Sequence, residues 1–392
     1  MKLLLVSEYF PPKIMGGGEI NVFLIAQALA KRGMEVTVLT SYHYGLERYE
    51  SKDGIKIIRR LKTGKTASGL IDNFKRSFFS VDKEVKRLYA KVNFDGIHLF
   101  GTAIISAKKL SKLNVPIFAT IESYPTLCPK GDRMYLGKRE CKHICSFSKF
   151  AFCQQKSSEI GKMKNKWYLK YNPLFLFYVY WHYKKLNNSL QYCKLIAISK
   201  YVSNILLQHT KESTIVPNFI EEDKFDFKPI KNKKPKLIYL GSLTRFKGPH
   251  ILLKAIEGLN CRCDIYGEGI LKPRLMEMIK EMNLDAEIHA PVPFDKVPLI
   301  YASADLVIFP SIWPEPFGRI AIEAKAAGKP VIASNIGGIK ETADILVEPG
   351  NISELRSAIE KFLLSRKKEK INLGEYTEEK VISKLIEVYQ KC

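Results

Sequence analysis

The sequence predicts an α/β protein with two doubly wound domains, each built on a parallel sheet. Its 392 residues are many for one hydrophobic core and suit two. Short apolar runs alternate with helical periodicity in both halves, which is typical of parallel sheets covered by helices. Residues 221–235 are charged, contain proline and lack apolar periodicity, so we expect a linker there.

The first half supplies the elements of one such domain in regular order. A helix is expected at residues 20–31, ended by Gly33, and another helix is expected to begin at Lys200. The expected strands are residues 3–6, 35–40, 95–100, 116–121 and 193–199.

The second half repeats this design and is followed by one more helix. The expected strands are residues 236–240, 263–266, 286–290, 305–309, 330–333 and 345–347. We therefore place the domains at 1–217 and 218–375, facing each other across a cleft where a ligand would bind. Residues 376–392, beyond a charged run at 366–370, are predicted to form a helix that packs back on the first domain.

Two glutamates stand eight positions apart around a Pro-Phe-Gly turn that opens an Ala-rich helix. The turn follows a predicted strand, and ligands of open parallel sheets bind at the carboxyl ends of strands. At ~1.5 Å rise per residue, the carboxylates of Glu315 and Glu323 lie roughly 10 Å apart along the axis. They would accept hydrogen bonds from hydroxyls at the two ends of a sugar nucleotide.

The start of this helix suits the diphosphate of such a ligand. Unpaired backbone N–H groups and the positive end of the helix dipole would stabilise a diphosphate above Phe317, Gly318 and Arg319. The alternative interpretation is an ordinary capped, amphipathic helix that glutamates happen to flank.

Positive charge is concentrated in the first half of the chain. The net charge is +23, and residues 1–217 hold 36 Lys and Arg against 15 Asp and Glu, whereas residues 218–392 hold 27 against 25. This asymmetry suggests that the first domain meets an anionic partner.

Residues 160–211 are the most basic region and are rich in aromatic side chains. This region contains no acidic residue, and its aromatic stretch is flanked by Lys162, Lys164, Lys166, Lys170, Lys184 and Lys185. Such a pattern is typical of a helix that lies in a membrane interface, and its apolar core is too short to span a bilayer. We expect docking on an anionic membrane surface, with an ordinary core helix as the alternative. A nucleic-acid partner is not expected, because no nucleic-acid module accompanies the charge.

We expect no secretory signal at the beginning of the chain. The apolar run of residues 1–6 is followed at once by Ser7 and Glu8, and it is too short for a signal peptide. We therefore expect a cytoplasmic protein that is peripheral at the inner face of the membrane.

Four of the eight cysteines cluster within 26 residues, with His143 among them: Cys128, Cys141, Cys145 and Cys153. They could hold a structural Zn²⁺, although their spacing matches no standard finger or ribbon. Reduced or partly disulfide-linked thiols are the alternative.

The loop after the first strand argues against a dehydrogenase. The chain there reads Ser-Glu-Tyr-Phe-Pro-Pro, and glycines come only at Gly16, Gly17 and Gly18, so the Gly-x-Gly-x-x-Gly turn is missing. A glycine-rich loop in this position can still bring backbone N–H groups close to a phosphate or sugar.

Four stretches together resemble the retaining glycosyltransferase family 4 (glycosyl transferases group 1), whose members have the two-Rossmann GT-B fold. The stretches are residues 11–19, Val216-Pro217-Asn218, residues 241–248, and residues 310–324 continuing to Gly337-Gly338. The pair of glutamates separated by seven residues is the most specific of these features.

The resemblance implies a role for each matching residue. Glu315 would hold hydroxyls of the donor sugar beside the amides of Phe317 and Gly318, and Glu323 would hold the ribose. Lys247 would neutralise the diphosphate. The loop at Gly16 and Gly17 would approach the donor from the first domain.

Two positions depart from the family pattern. Relatives usually have Gly-Arg-Leu where this chain has Gly-Ser242-Leu, so one cation is missing, and Arg245 either replaces it or faces solvent. Relatives usually have a histidine where this chain has Glu122. This carboxylate could accept a hydrogen bond from a sugar hydroxyl, act as a base toward the acceptor, or mark an altered acceptor.

The resemblance implies a hexosyltransferase that moves a sugar from a nucleoside-diphosphate sugar to an acceptor hydroxyl with retention of anomeric configuration. No metal or other cofactor is expected, and the sequence has no Asp-x-Asp pair to suggest one. A lipid-linked acceptor or a growing glycan would place the enzyme in polysaccharide or glycolipid biosynthesis. A GT-B sugar-nucleotide epimerase and a non-catalytic carbohydrate or polyanion binder remain alternatives.

Overall fold

The computed structural model describes residues 1–14, 16–62, 80–157, 167–227, 230, 232–365 and 373–391, with only the backbone of residues 167 and 168. The chain divides into two compact units, Met1–Pro217 together with Val381–Cys392, and Asn218–Lys380. The charged run predicted at 366–370 and the three lysines at 162, 164 and 166 lie outside the described residues.

The first unit is built on an eight-stranded sheet. Its strands are β1 (Lys2–Val6), β2 (Glu35–Ser41), β3 (Tyr49–Lys52), β4 (Ile55–Leu61), β5 (Gly96–Phe100), β6 (Ile117–Ile121), β9 (Lys194–Ala197) and β10 (Thr214–Ile215), and a separate hairpin contains β7 (Met134–Tyr135) and β8 (Arg139–Glu140). The sheet order is β10-β9-β6-β5-β1-β2-β4-β3, and only the β3–β4 pair is antiparallel. Neither strand of that pair was among the predicted elements.

The described helices of this unit before residue 217 are α1 (Gly17–Lys31), α2 (Val81–Tyr89), α3 (Ala107–Leu110), α4 (Phe147–Lys156), α5 (Pro173–Ser189) and α6 (Lys200–Gln208). Four consecutive residues of β1, from Leu3 to Val6, are fully buried. A parallel strand covered on both faces needs such a continuous apolar run, and for this reason the short run predicts a strand.

The second unit is built on a six-stranded, wholly parallel sheet. Its strands are β11 (Lys236–Leu240), β12 (Arg262–Tyr266), β13 (Ala286–His289), β14 (Leu306–Phe309), β15 (Val331–Ser334) and β16 (Ile345–Val347), in the order β13-β12-β11-β14-β15-β16. Its described helices are α7 (Pro249–Ala255), α8 (Lys272–Glu281), α9 (Val297–Ala302), α10 (Arg319–Ala326) and α11 (Ile352–Ser365). Two doubly wound α/β units confirm the predicted fold class.

The chain changes direction next to the first strand of each sheet. β1 lies between β2 and β5, and β11 lies between β12 and β14. The loops that follow β1 and β5, and those that follow β11 and β14, therefore emerge side by side at the carboxyl ends of their strands. Such switch points are where doubly wound sheets bind ligands.

The segment predicted as a linker instead packs on the second unit where it is described. Residues 222–225 form a 3₁₀ turn, and Phe225 is 4% exposed, with its ring centroid 6.3 Å from that of Tyr301. Asn232 Nδ2 also donates to Ser303 O at 3.0 Å and to Asp305 Oδ2 at 2.9 Å. The sequence pattern does not predict this packing, because one buried phenylalanine and one hydrogen-bonded asparagine produce no apolar periodicity.

The last helix, α12 (Glu378–Gln390), belongs to the first unit from Val381 onward. Tyr389 Oη lies 2.7 Å from His98 Nδ1 on β5, and His98 Nε2 lies 2.7 Å from Thr120 Oγ1 on β6. Burial lowers the pKa of His98 to about 3, so the ring is neutral and accepts one hydrogen bond while it donates the other.

Replacing Tyr389 by Phe should lower the free energy of unfolding by about 1–3 kcal/mol, because one nitrogen of the buried His98 ring loses its partner. Urea unfolding of the whole chain measures this change. Glu387→Gln on the exposed face of the same helix is the control and should shift stability by less than about 0.5 kcal/mol. Equal effects of the two variants would contradict an anchoring role for this hydrogen bond.

Candidate active site

Two loops pack together at the switch point of the second sheet. The loop after β11, residues 241–248, contains a 3₁₀ turn at Arg245–Lys247, and the loop after β14 spans residues 310–318. The carbonyl oxygen of Phe246 accepts three hydrogen bonds from the second loop: from Ile312 N (2.8 Å), Trp313 N (3.2 Å) and Ser311 Oγ (3.1 Å). These bonds fix one loop against the other.

A third loop, after β15, supports Glu315 from behind. Gly338 N–H donates to the carbonyl oxygen of Glu315 at 2.6 Å. A Cβ on Gly337 would lie 2.4 Å from the same oxygen, so no side chain fits there. The close approach of two backbones sets the position of Glu315 and explains the pair of glycines.

The helix α10 begins immediately after Gly318, which has a φ of +87°. No side chain among the described residues caps this start, and Gly318, Arg319 and Ile320 remain half-buried. The first N–H groups of the helix and the positive end of its dipole therefore face an accessible region. This arrangement suits an anionic group.

Half-buried Lys247 and buried Glu315 form an ion pair beside this helix start. Glu315 is 7% exposed, Lys247 Nζ donates to its Oε1, and Ser311 Oγ lies 3.4 Å from the same oxygen. Lys247 Nζ also lies 4.5 Å from the ring centroid of Trp313, where a cation is attracted to the aromatic face. The charge of Glu315 adds to burial in raising the pKa of Tyr239.

Glu323, which is 5% exposed, has its own cation and a hydroxyl partner. Arg319 Nε lies 2.7 Å from Glu323 Oε1, and Tyr301 Oη donates to Glu323 Oε2 at 3.1 Å. Burial and the neighbouring carboxylate raise the pKa of Tyr301 well above its usual value, which keeps the hydroxyl protonated as a donor. The two carboxylates and two cations form a nearly neutral cluster.

The other residues near the predicted donor site differ in their exposure to solvent. Phe317 is buried, and its ring packs edge-on against Tyr376 at 5.7 Å, so it contributes backbone and packing. Arg245 is exposed, and its charge helps to lower the pKa of His250 after the larger effect of burial. Ser242 is exposed too, and its carbonyl accepts a hydrogen bond from Tyr239.

The first unit has a pocket of its own at the corresponding switch point. Its volume is about 410 Å³. It is lined by residues 7–8 and 16–19 after β1, by residues 100–102 and 104 at the end of β5, and by residues 120–123, 125 and 126 at the end of β6. Glu122 accepts a hydrogen bond from Asn21 Nδ2 at 2.6 Å. A Cβ on Gly18 would lie 3.0 Å from Glu122 Oε2, so the start of α1 packs closely on this carboxylate.

Gly16 and Gly17 also line this pocket, at the start of α1. Gly16 N–H donates to Glu19 Oε2 at 2.8 Å, and the Glu8, Glu19 and Glu122 side chains give the pocket an acidic lining together with several hydroxyls. Such a lining can accept hydrogen bonds from a polyhydroxylated ligand.

Three supporting residues were missed from the sequence: Asn21, Tyr301 and Trp313. Asn21 is 2% exposed in an otherwise apolar stretch of α1, and a polar residue in such a stretch is a signal that could have been used. Tyr301 reaches Glu323 from a different helix, α9, and Trp313 meets Lys247 from another loop. Neither of these contacts leaves a local pattern in the sequence.

One group among the described residues places three candidate metal ligands within 4.8 Å of one another: Asp264, Glu287 and His289. Lys236 Nζ and Arg262 Nε already lie 2.7 Å and 3.0 Å from the Asp264 carboxylate. These two cations compensate its charge, so the group is an ion-pair network rather than a metal site.

The aromatic helix α5 has one buried face and one exposed face. Leu176, Tyr183 and Leu186 are buried, whereas Leu174 and Phe177 are 81% and 63% exposed. Lys184 and Lys185 are exposed on the same helix, and Lys185 Nζ lies 5.7 Å from the ring centroid of Trp181. Within the part of the chain that the structure describes, no helix is both long and apolar enough for a bilayer crossing.

Two family models match the chain. The model described as Glycosyltransferase Family 4 matches residues 15–224, and the model described as Glycosyl transferases group 1 matches residues 220–380. An uncharacterized glycosyltransferase of Methanocaldococcus jannaschii is 26% identical over 365 residues, which cover 87% of this chain and 82% of the relative. A D-inositol 3-phosphate glycosyltransferase of Corynebacterium urealyticum is 30% identical over 179 residues, which cover 39% of this chain and 42% of the relative.

Solved structures resemble the whole chain. Sucrose-phosphate synthase from Thermosynechococcus elongatus has a TM-score of 0.76 at 18% identity, with 100% of this chain and 98% of the other covered. HepE from Anabaena, solved in complex with UDP-glucose, has a TM-score of 0.66 at 16% identity, with 100% of both chains covered.

The start of α10 should tolerate no side chain at residue 318. A Cβ there would lie 2.5 Å from Ile339 Cγ1. Gly318→Ala therefore loses stability in two ways, because alanine disfavours the left-handed backbone conformation and because its Cβ overlaps with Ile339. Gly328→Ala, at the end of the same helix with a φ of +69° and open space around it, carries only the backbone cost of about 1–2 kcal/mol. Thermal unfolding should show a further loss of about 1–3 kcal/mol for Gly318→Ala. Equal losses would mean that the packing on Ile339 is unimportant.

Proposed function

Because the chain belongs to glycosyltransferase family 4, a family with the GT-B fold, we propose that it transfers a sugar from a nucleoside-diphosphate sugar to an acceptor hydroxyl with retention of anomeric configuration. The observation that carries this proposal is the start of α10 with the Lys247–Glu315 pair on one side and the Arg319–Glu323 pair on the other. HepE binds UDP-glucose, and a donor of this class suits such a site.

The donor diphosphate binds over the first N–H groups of α10. Lys247 exchanges its carboxylate partner for a phosphate oxygen, and this exchange leaves Glu315 to accept a hydrogen bond from a sugar hydroxyl. Ser311 stays within reach of Glu315 throughout. At the other end, Glu323 accepts a hydrogen bond from the ribose while Arg319 and Tyr301 hold it in place.

Transfer needs the bond between the anomeric carbon and the diphosphate oxygen to break. Negative charge then grows on the leaving phosphate, where the helix amides and Lys247, after it has exchanged Glu315 for a phosphate oxygen, stabilise it. The acceptor oxygen forms its bond to the anomeric carbon on the same face, and its proton passes to an oxygen of the leaving diphosphate. This route retains the configuration without a covalent enzyme intermediate.

The acceptor binds in the pocket of the first unit, whose hydroxyl and carboxylate lining suits a glycan or a glycolipid headgroup. Glu122, positioned by Asn21, accepts a hydrogen bond from the acceptor. A lipid-linked acceptor would place the enzyme in polysaccharide or glycolipid biosynthesis.

Glu315→Gln should reduce transfer by about 10²–10³-fold, because the negative charge that strengthens the hydrogen bond to the donor sugar is lost. A thermal-shift screen of UDP, GDP and ADP sugars first identifies the donor, since a bound ligand raises the melting temperature. Nucleotide release is then measured with acceptor present, and the anomeric configuration of the product is read by NMR. The exposed Glu360→Gln is the matched control and should keep full activity.

Two results would contradict this mechanism. Full activity of the Glu315→Gln variant would show that the carboxylate is not needed for the reaction. A product of inverted configuration would exclude attack on the same face. Donor conversion without acceptor and without nucleotide release would instead identify an epimerase.

Peripheral membrane binding brings the enzyme to a lipid-linked acceptor. The exposed side chains of Leu174 and Phe177 form an apolar stripe on α5, and Lys184 and Lys185 add positive charge on the same helix. Each lysine close to an anionic surface contributes about 1 kcal/mol. Amphipathic helices with this composition lie in the membrane interface.

The double variant Leu174→Ser and Phe177→Ser should bind anionic liposomes several-fold more weakly than the unmodified chain, because it lacks the apolar stripe. Co-sedimentation with phosphatidylserine vesicles, and with neutral vesicles for comparison, measures this binding. Leu364→Ser is the control, since Leu364 is 88% exposed on α11 of the second unit. Docking through α5 would be contradicted if the bound fraction of the protein did not change with lipid charge, with salt concentration or with the double substitution.

A further inference from the structure

Four cysteines from separate parts of the first unit line one small cavity. Cys128 lies in the loop after β6, Cys141 and Cys145 lie in the loop after β8, and Cys153 lies on α4. The cavity has a volume of about 30 Å³ and is closed by Met134, Tyr135 and Phe150. All four thiols are free of disulfide bonds.

Hydrogen bonds orient one of the sulfur atoms. Leu136 N–H donates to Cys153 Sγ at 3.2 Å, and Cys153 Sγ lies 3.7 Å from the carbonyl oxygen of Met134. Hydrogen bonds of this kind also orient the side chains that ligate metals.

Positive charge lies close to the cavity. The Lys130 side chain is 4% exposed, and both Lys130 and Lys149 contribute to the cavity wall. Four thiolates around a divalent ion leave two net negative charges. Lys149 and Lys130, which also pairs with Asp132 at 3.2 Å, would offset part of this charge.

The segment that carries the cysteines has little regular structure to stabilise it. β7 and β8 contain two residues each, and a hairpin this short is not stable alone. Yet Cys128, Met134 and Phe150 are all buried there. A cross-link through a metal would fix this segment, which begins at the pocket loop that carries Glu122.

We propose that Cys128, Cys141, Cys145 and Cys153 bind a single structural Zn²⁺. The four thiols lose four protons to the solvent, and four zinc–sulfur bonds form. Among the described residues no three of these sulfur atoms lie within 4.8 Å of one another, whereas Zn–S bonds of ≈2.3 Å bring tetrahedral ligands to about 3.8 Å. Cys141 and Cys145, half-buried in an irregular loop, close this gap when the ion binds.

The size of the cavity favours zinc over an iron–sulfur cluster. Four thiolates suit either group. A cavity of about 30 Å³ is small, and it suits a single ion better than a cluster of several iron and sulfide atoms.

The full chain, purified from medium that contains zinc, should carry one zinc per molecule by elemental analysis. Cys145→Ser should lower the zinc content at least several-fold, whereas Cys193→Ser, a cysteine of the same unit outside the cavity, should leave it unchanged. His143→Asn should also keep the zinc, because the proposed ligands are four thiolates. Replacement by Co²⁺ in the unmodified chain should give the intense visible absorption of a tetrahedral thiolate site, and this measurement does not depend on whether a variant folds.

Three results would overturn the proposal. Absence of metal together with unchanged melting temperature on chelation would exclude a metal site. Detection of iron together with acid-labile sulfide would show that the site holds an iron–sulfur cluster and not zinc. A disulfide between any two of the four cysteines, found by mass spectrometry without reduction, would show a covalent cross-link instead of a metal site. Loss of zinc in His143→Asn with retention in Cys145→Ser would reject the proposed ligand set.

Discussion

The structure of the second unit around its switch point depends on the need to pair two buried carboxylates with cations. Glu315 and Glu323 are 7% and 5% exposed, and removal of the partner of such a buried charge costs about 3–5 kcal/mol. Lys247 reaches Glu315 from the loop after β11, and Arg319 reaches Glu323 from one turn earlier on α10. The two loops must therefore meet, and the hydrogen bonds to the Phe246 carbonyl keep them together.

This pairing also makes the site ready for an anion. The cations compensate the carboxylates before any ligand binds. The diphosphate of the proposed donor would therefore approach a nearly neutral cluster and the positive end of a helix dipole rather than two bare negative charges. Close backbone contacts at Gly318 and Gly337 hold the helix start and Glu315 in fixed positions. Preorganisation of this kind is what transition-state stabilisation requires.

The two units share a topology and differ in the chemistry at their switch points. The second unit presents paired charges at the start of α10, whereas the first has an acidic, hydroxyl-rich pocket in which Asn21 positions Glu122. The pocket loop continues into the cysteine-lined segment, so a zinc ion there would steady one wall of the proposed acceptor site. The sheet thus sets where ligands bind, and local side chains set which ligands they are.

The sequence by itself determined most of the parallel strands, because a strand buried on both faces must be apolar throughout. It did not determine β4, whose side chains alternate between buried and more exposed. It also determined the glutamates that flank α10, because their spacing is local. It did not show that Lys247 pairs with Glu315, that Tyr301 supports Glu323, or that residues 222–225 pack on the second unit. Those contacts join positions far apart in the chain, and only the tertiary structure decides them, since side chains from separate elements meet through packing that has no sequence period.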